Sequence, residues 1–99
     1  MNLVSTAMAG TLESSDVQVT IEPGNGEIAL NIDSIVINQY GRQIKAVTLE
    51  TLESLRITSA KVTIVDKGAL DCTIRARVEC AAYRAAEFKG SIPWEGGKL

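Results

Sequence analysis

Asp16-Val17-Gln18-Val19-Thr20-Ile21-Glu22-Pro23-Gly24-Asn25-Gly26-Glu27-Ile28-Ala29-Leu30-Asn31-Ile32 is the stretch that decides the fold. Val17, Val19 and Ile21 alternate with Gln18, Thr20 and Glu22, the period-2 pattern of a strand with one buried face. Pro23-Gly24-Asn25-Gly26 supplies the backbone freedom for a reversal. Ile28, Leu30 and Ile32 then resume the alternation, so the stretch reads as a β-hairpin.

Beyond Ile32, the run Ile35-Val36-Ile37 fits either a strand end or a helix start. Gly41 costs a helix interior about 1 kcal/mol relative to Ala, so the helix is expected from Arg42. Ile44, Val47, Leu52 and Leu55 form its apolar stripe, with Arg42, Lys45, Glu50 and Glu53 outside. Lys61 to Asp66 reads as a third strand with Val62 and Ile64 inward, followed by a turn at Asp66-Lys67-Gly68. From Ala69 to Phe88 two periods compete. Cys72, Ile74, Ala76, Val78 and Cys80 alternate, whereas Leu70, Ile74, Val78, Ala81, Ala85 and Phe88 make a helical stripe. Alanine richness and length favour helix.

Residues 7–15 read as a loop, and Gly90, Pro93, Gly96 and Gly97 mark an extended tail whose large apolar side chain is Trp94. The expected fold is thus a single α+β domain over residues 1–99, in the order ββαβα. One β-sheet is packed by two helices, between a mobile N-terminal segment (1–15) and a C-terminal tail (90–99). A parallel pairing of the second and third strands would require a right-handed crossover.

Composition narrows the function. The 99 residues contain no histidine, which removes Ser–His–Asp and Cys–His chemistry and the commonest general base near neutral pH. Cys72 and Cys80 match no zinc or redox spacing and read as buried structural thiols of a cytoplasmic protein. No metal site is expected, and no apolar run approaches a membrane span. The first 41 residues carry five acids and no base, and the rest carry ten bases against seven acids. No basic patch with interleaved aromatics points to nucleic acid. The acidic segment suits a basic protein partner or simply solvates exposed strand faces.

Two serines compete as covalent attachment points. Asp33-Ser34-Ile35 is similar to the Asp-Ser-Leu signature of fatty-acid acyl carrier proteins, where the serine opens a helix of a four-helix bundle. Here it follows a strand pattern, so Ser34 reads better as a strand end and cap. Gly10-Thr11-Leu12-Glu13-Ser14-Ser15-Asp16 offers a hydroxyl in a polar loop of small residues ahead of a strand. A plain surface loop is the simpler reading of its composition.

Resemblance shifts the balance. Ala9-Gly10-Thr11-Leu12-Glu13-Ser14-Ser15-Asp16-Val17 resembles the prosthetic-group segment of the citrate lyase acyl carrier protein (gamma chain) family. Asp66-Lys67-Gly68-Ala69-Leu70-Asp71-Cys72, with Arg75-Ala76-Arg77, resembles a second family signature, and Pro93-Trp94-Glu95 its ending. The family's modified serine maps onto Ser14. Position 15 is commonly glycine in the family pattern, and Ser15 is the alternative acceptor. The acyl carrier subunit of malonate decarboxylase is related; Glu13 and the DKGALDC run favour the lyase.

The resemblance implies a non-catalytic carrier. Ser14 would bear 2′-(5″-phosphoribosyl)-3′-dephospho-CoA, covalently attached, whose thiol carries acetyl and citryl thioesters between alpha (transferase) and beta (lyase) subunits as citrate is cleaved to acetate and oxaloacetate. A prosthetic-group transferase and an acetate ligase would be transient partners. Glu13 and Asp16 would flank the root of the arm. Like charges about 4 Å apart repel by about 1 kcal/mol even in water, which would hold the phosphate-bearing arm extended. Arg75, Arg77 and Arg84 either steer docking, contact arm phosphates or solvate a helix, and Trp94 either anchors the tail to a partner subunit or packs on its own domain.

Overall fold

The computed structural model describes residues 1–87. Four strands and two helices follow in the order β1 (Ala7–Gly10), β2 (Val17–Pro23), β3 (Ile28–Ser34), α1 (Ile37–Ser54), β4 (Ala60–Asp66) and α2 (Asp71–Ala85). The α+β sheet covered by two helices is as expected, with one strand more. The expected helical residue Phe88, the tail from Gly90 and Trp94 lie outside the described residues.

The sheet order is β1-β2-β4-β3, with β4 antiparallel to β2 and parallel to β3. The expected hairpin is therefore split, because β4 inserts between its two strands. Burial explains the exchange. Val62 and Ile64 of β4 are fully buried, and a central position gives this strand ladder partners on both edges, whereas an isolated hairpin is marginal in water. Gly24 marks the crossing. The chain passes over the start of β4 there, and a Cβ would lie 2.5 Å from the Ala60 nitrogen.

Cross-strand rows define the covered face. Ala9, Val19, Ile64 and Ile32 align in one row, and Ala7, Ile21, Val62 and Leu30 in the next. A third row runs Val17, Asp66, Ser34, so the core ends on a polar pair at one end of the sheet. Over these rows α2 packs on β1 and β2, α1 packs on β3, and the helices touch each other.

Residues 7–10, expected as loop, form an edge strand despite lacking β-branched side chains. Tertiary contacts supply what propensity does not. Arg84 Nη1 donates to the Met8 carbonyl at 2.7 Å, and Val4 and Ser5 N–H both donate to the Ala85 carbonyl. The Met1 ammonium donates to the carbonyls of Leu55 and Arg56 at 3.2 Å. The segment expected to be mobile is thus held at both ends.

Helix α1 starts at Ile37 rather than Arg42, so packing overrides the cost of Gly41. Ile44, Val47 and Leu52 are buried as expected, while Arg42, Lys45, Glu50 and Glu53 are exposed. Buried Thr48 and Thr51 donate to the carbonyls of Ile44 and Val47, which satisfies both hydroxyls within their own helix. In α2 the expected stripe holds at Ile74, Val78, Ala81 and Ala85, but Leu70 is 72% exposed. Cys72 is also exposed and Cys80 half-buried, both free thiols. The expected burial of Cys72 fails: it sits in the first turn of α2, ahead of the buried stripe that begins at Ile74.

Candidate functional site: a clamped serine loop

The loop between β1 and β2, residues 11–16, is held by one carboxylate. Asp16 Oδ2 accepts from the Thr11 N–H at 3.1 Å and the Thr11 hydroxyl at 2.6 Å. Oδ1 accepts from the Val17 N–H at 2.7 Å. From α2, Arg77 closes the set, with Nε 3.2 Å from Oδ1 and Nη2 3.1 Å from Oδ2. The Thr11 hydroxyl in turn accepts from the Glu13 N–H at 3.2 Å. With the Thr11 hydroxyl the largest influence, and the Val17 N–H and Arg77 adding to it, the Asp16 carboxyl is lowered to about 2.

Backbone hydrogen bonds join this loop to the β4–α2 turn. Ser15 N–H donates to the Lys67 carbonyl at 2.8 Å, and Lys67 N–H donates to the Asp16 carbonyl at 2.9 Å. Two segments far apart in sequence, around Ser14 and around Asp66-Lys67-Gly68, therefore form one structure. At the entrance of the loop Gly10 adopts φ +89°, and a Cβ there would lie 1.8 Å from the Val17 carbonyl oxygen. No side chain fits. Ser15 has φ +66°, the left-handed region that favours glycine.

Ser14 sits at the outer turn of this frame. It is exposed, and among the described residues none of the hydrogen bonds fixing the loop uses its hydroxyl. Glu13 is exposed beside it. Asp16 is not free to act as a second bare negative charge, because Arg77 matches it. The expected double repulsion at the root of an arm is thus reduced to Glu13.

The other candidates divide. Arg77 reaches the loop and Arg84 holds β1, whereas Arg75 points toward α1, 4.0 Å from Glu50. Ser34 is buried and structural. Its hydroxyl donates to Asp66 Oδ2 at 2.8 Å and accepts from the Val36 N–H, while Asp66 Oδ1 accepts from Ala69 N–H at 2.9 Å. Ser34 ends its strand as expected but does not cap α1, whose N-cap is Val36.

Sequence reasoning misses a groove of 620 Å³ beside the same turn, between the start of α1 and the start of α2. Val36, Tyr40, Ile44, Leu70, Cys72 and Ile74 are among its lining residues. Gln43 Nε2 donates to Asp71 Oδ2 at 2.7 Å between the two helices that form it. Of the apolar run at 35–37, Val36 lines it, and that run is too short to assign.

Among the described residues no helix is long and apolar enough to cross a membrane. The family model described as malonate decarboxylase delta subunit (MdcD) matches residues 4–85. The citrate lyase acyl carrier protein of Vibrio cholerae serotype O1 (strain M66-2) is 53% identical over 95 residues, covering 95% of this chain and 96% of that protein. Proteins of the same name from Oenococcus oeni and Cronobacter sakazakii are 50% and 48% identical, covering 96% and 99% of this chain and 98% and 100% of their own lengths. A chain in the crystal structure of a Pseudomonas malonate decarboxylase hetero-tetramer in complex with malonate superposes with TM-score 0.71 at 23% identity, over 82% of this chain and 84% of that one, a likeness of fold. The chain belongs to the citrate lyase acyl carrier protein family, as a non-catalytic carrier subunit.

Proposed function

We propose that Ser14 is the attachment point of the carrier's prosthetic group, 2′-(5″-phosphoribosyl)-3′-dephospho-CoA, joined through a phosphodiester. The observation that carries this reading is an exposed hydroxyl outside the bonding of a loop that is otherwise fastened on both flanks. A modifying enzyme needs a hydroxyl it can reach and a backbone that holds still. Asp16 and Arg77 supply the second condition, and the exposure of Ser14 supplies the first.

When bound, the arm supplies a thiol on which acetyl and citryl groups ride as thioesters between alpha and beta subunits of citrate lyase. The carrier's own residues present it: Thr11, Asp16 and Arg77 fix the root, and Glu13 leaves one negative charge beside it. Arg75 and Trp94 remain candidates for docking. Tethering keeps the thiol at an effective concentration on the order of mM for docked stations. The cytoplasm is the proposed compartment, in keeping with free thiols at Cys72 and Cys80.

Intact mass of the protein from its native host tests the reading. Wild type and Ser15→Ala should both carry the arm's added mass, and Ser14→Ala should lack it; full modification of Ser14→Ala would refute the assignment. The match to a malonate decarboxylase family model favours one second reading, a carrier in a decarboxylase. Turnover of malonate rather than citrate by the native complex would select it.

A further inference from the structure

Both helices that frame the groove start without a polar cap. Val36 is the N-cap of α1 and Leu70 that of α2, and neither helix has a side-chain cap hydrogen bond. Ser, Thr, Asp and Asn are strongly preferred at such positions. Here both caps are apolar and line the groove, and its rim faces water: Leu70 is 72% exposed and Tyr40 55%. Exposed apolar residues gathered around a concave surface mark a binding site.

The floor is made by Ile44 and Ile74, both nearly inaccessible to solvent. Its volume, 620 Å³, falls in the range of about 300–1,000 Å³ typical of small-molecule sites. One wall is the turn through Asp66, Gly68 and Ala69. Lys67 in that turn exchanges backbone hydrogen bonds with Ser15 and Asp16, the residues immediately after Ser14. The groove thus begins where the attachment loop is fastened.

We infer that this groove is the resting site for the thiol end of the arm on Ser14, an inference that rests on the covalent reading above. The pantetheine portion of such an arm carries methyl groups, amides and a thiol, which suits an apolar trough with Gln43 and Asp71 at its side. Weak affinity is sufficient. At a tethered concentration on the order of mM, a site with Kd of about 1 mM is about half filled, and the thiol still leaves readily for a partner subunit. A partner's protein surface would have no such advantage of tethering.

Cys72, which lines the groove, provides the test. The loaded carrier, first shown by intact mass to bear its arm, is treated with diamide at low protein concentration. An arm thiol resting in the groove should be captured by Cys72: two S–H bonds break, one S–S bond forms, and diamide takes up the two hydrogens. Peptide mapping should find this intramolecular disulfide. Leu70→Asn and Tyr40→Ala, both at exposed positions, should each lower its yield by about threefold or more, while leaving Cys72 equally reactive toward a small disulfide reagent. Undiminished capture in both variants, or no capture at Cys72, would overturn the inference while leaving Ser14 attachment intact. A disulfide between two carriers that increases with concentration would overturn it in favour of a second copy. Absence of the added mass at the outset would overturn the covalent reading and this one with it.

Discussion

The Arg77 guanidinium meets the Asp16 carboxylate in a two-point contact, Nε to Oδ1 at 3.2 Å and Nη2 to Oδ2 at 3.1 Å, tying α2 to the loop that carries Ser14. Side-by-side pairing of this kind fixes orientation as well as distance. Asp16 is the more enclosed partner, its side chain 14% accessible against 40% for Arg77. The carboxylate, which also holds Thr11 and Val17, is therefore the keystone.

Asp16→Asn should destabilise the domain by about 1–2 kcal/mol, and Arg77→Met by less, about 1 kcal/mol, because its head is open to solvent. The pH dependence has a definite sign. The folded carboxyl lies at about 2, below its ordinary value of 3.8, so its stabilisation is complete above that ordinary value and disappears as pH falls through about 2. Thermal unfolding from pH 5 to pH 2 should show wild type losing stability over this window and Asp16→Asn losing less. Equal acid sensitivity of the two would show that Asp16 is not the responsible group.

Much of this arrangement is legible in the residues. Val17, Val19 and Ile21 betray a one-faced strand because the sheet is covered on one side only, and Ile74, Val78, Ala81 and Ala85 betray a helix because α2 buries a stripe. Strand order is not local information. Nothing in the alternation of Ile28, Leu30 and Ile32 says that β4 intervenes, and only Gly24 hints at a backbone crossing. The loop divides in the same way. Ser14 is proposed through resemblance to the citrate lyase acyl carrier family, whereas the fastening of Ser15 and Asp16 to Lys67 is a backbone contact that leaves no trace in side-chain pattern.

Ser15 is the strained member of the loop, at φ +66°. A left-handed conformation costs a non-glycine residue about 1–2 kcal/mol, and glycine's extra freedom in the unfolded chain offsets roughly 0.5–1 kcal/mol of the relief. Ser15→Gly should therefore stabilise the protein by about 0.5 kcal/mol, and Ser15→Val should destabilise it by about 1–2 kcal/mol, both read by denaturant melts. Since Ser14 is the proposed acceptor, Ser15→Gly should also be modified as fully as wild type. Loss of modification in that variant would transfer the attachment to residue 15.

Ser34 separates structure from function. Its hydroxyl donates to the buried Asp66 carboxylate and accepts from the Val36 N–H, so Ser34→Ala leaves both a charged acceptor and a donor short of a partner. A loss of about 1–3 kcal/mol is expected. The variant should nonetheless carry the full mass of the arm when isolated from its host. A stable, unmodified Ser34→Ala protein would mean that the Asp33-Ser34-Ile35 tripeptide is the true attachment site.

Leu70 occupies a position where stability and apolar exposure conflict. As N-cap of α2 it leaves the first-turn N–H groups without a side-chain acceptor, and with 72% of its surface in water it adds little to the core. Asn at this position would accept from the N2 or N3 N–H and stabilise the helix by about 1 kcal/mol. For a domain of this size such a gain raises Tm by about 4–8 °C. Leu70→Asn should therefore melt higher than wild type, and reduced capture of the arm thiol at Cys72 by this variant could not be attributed to unfolding. If Leu70→Asn melts lower, Leu70 contributes to packing and is not a free apolar rim of the groove.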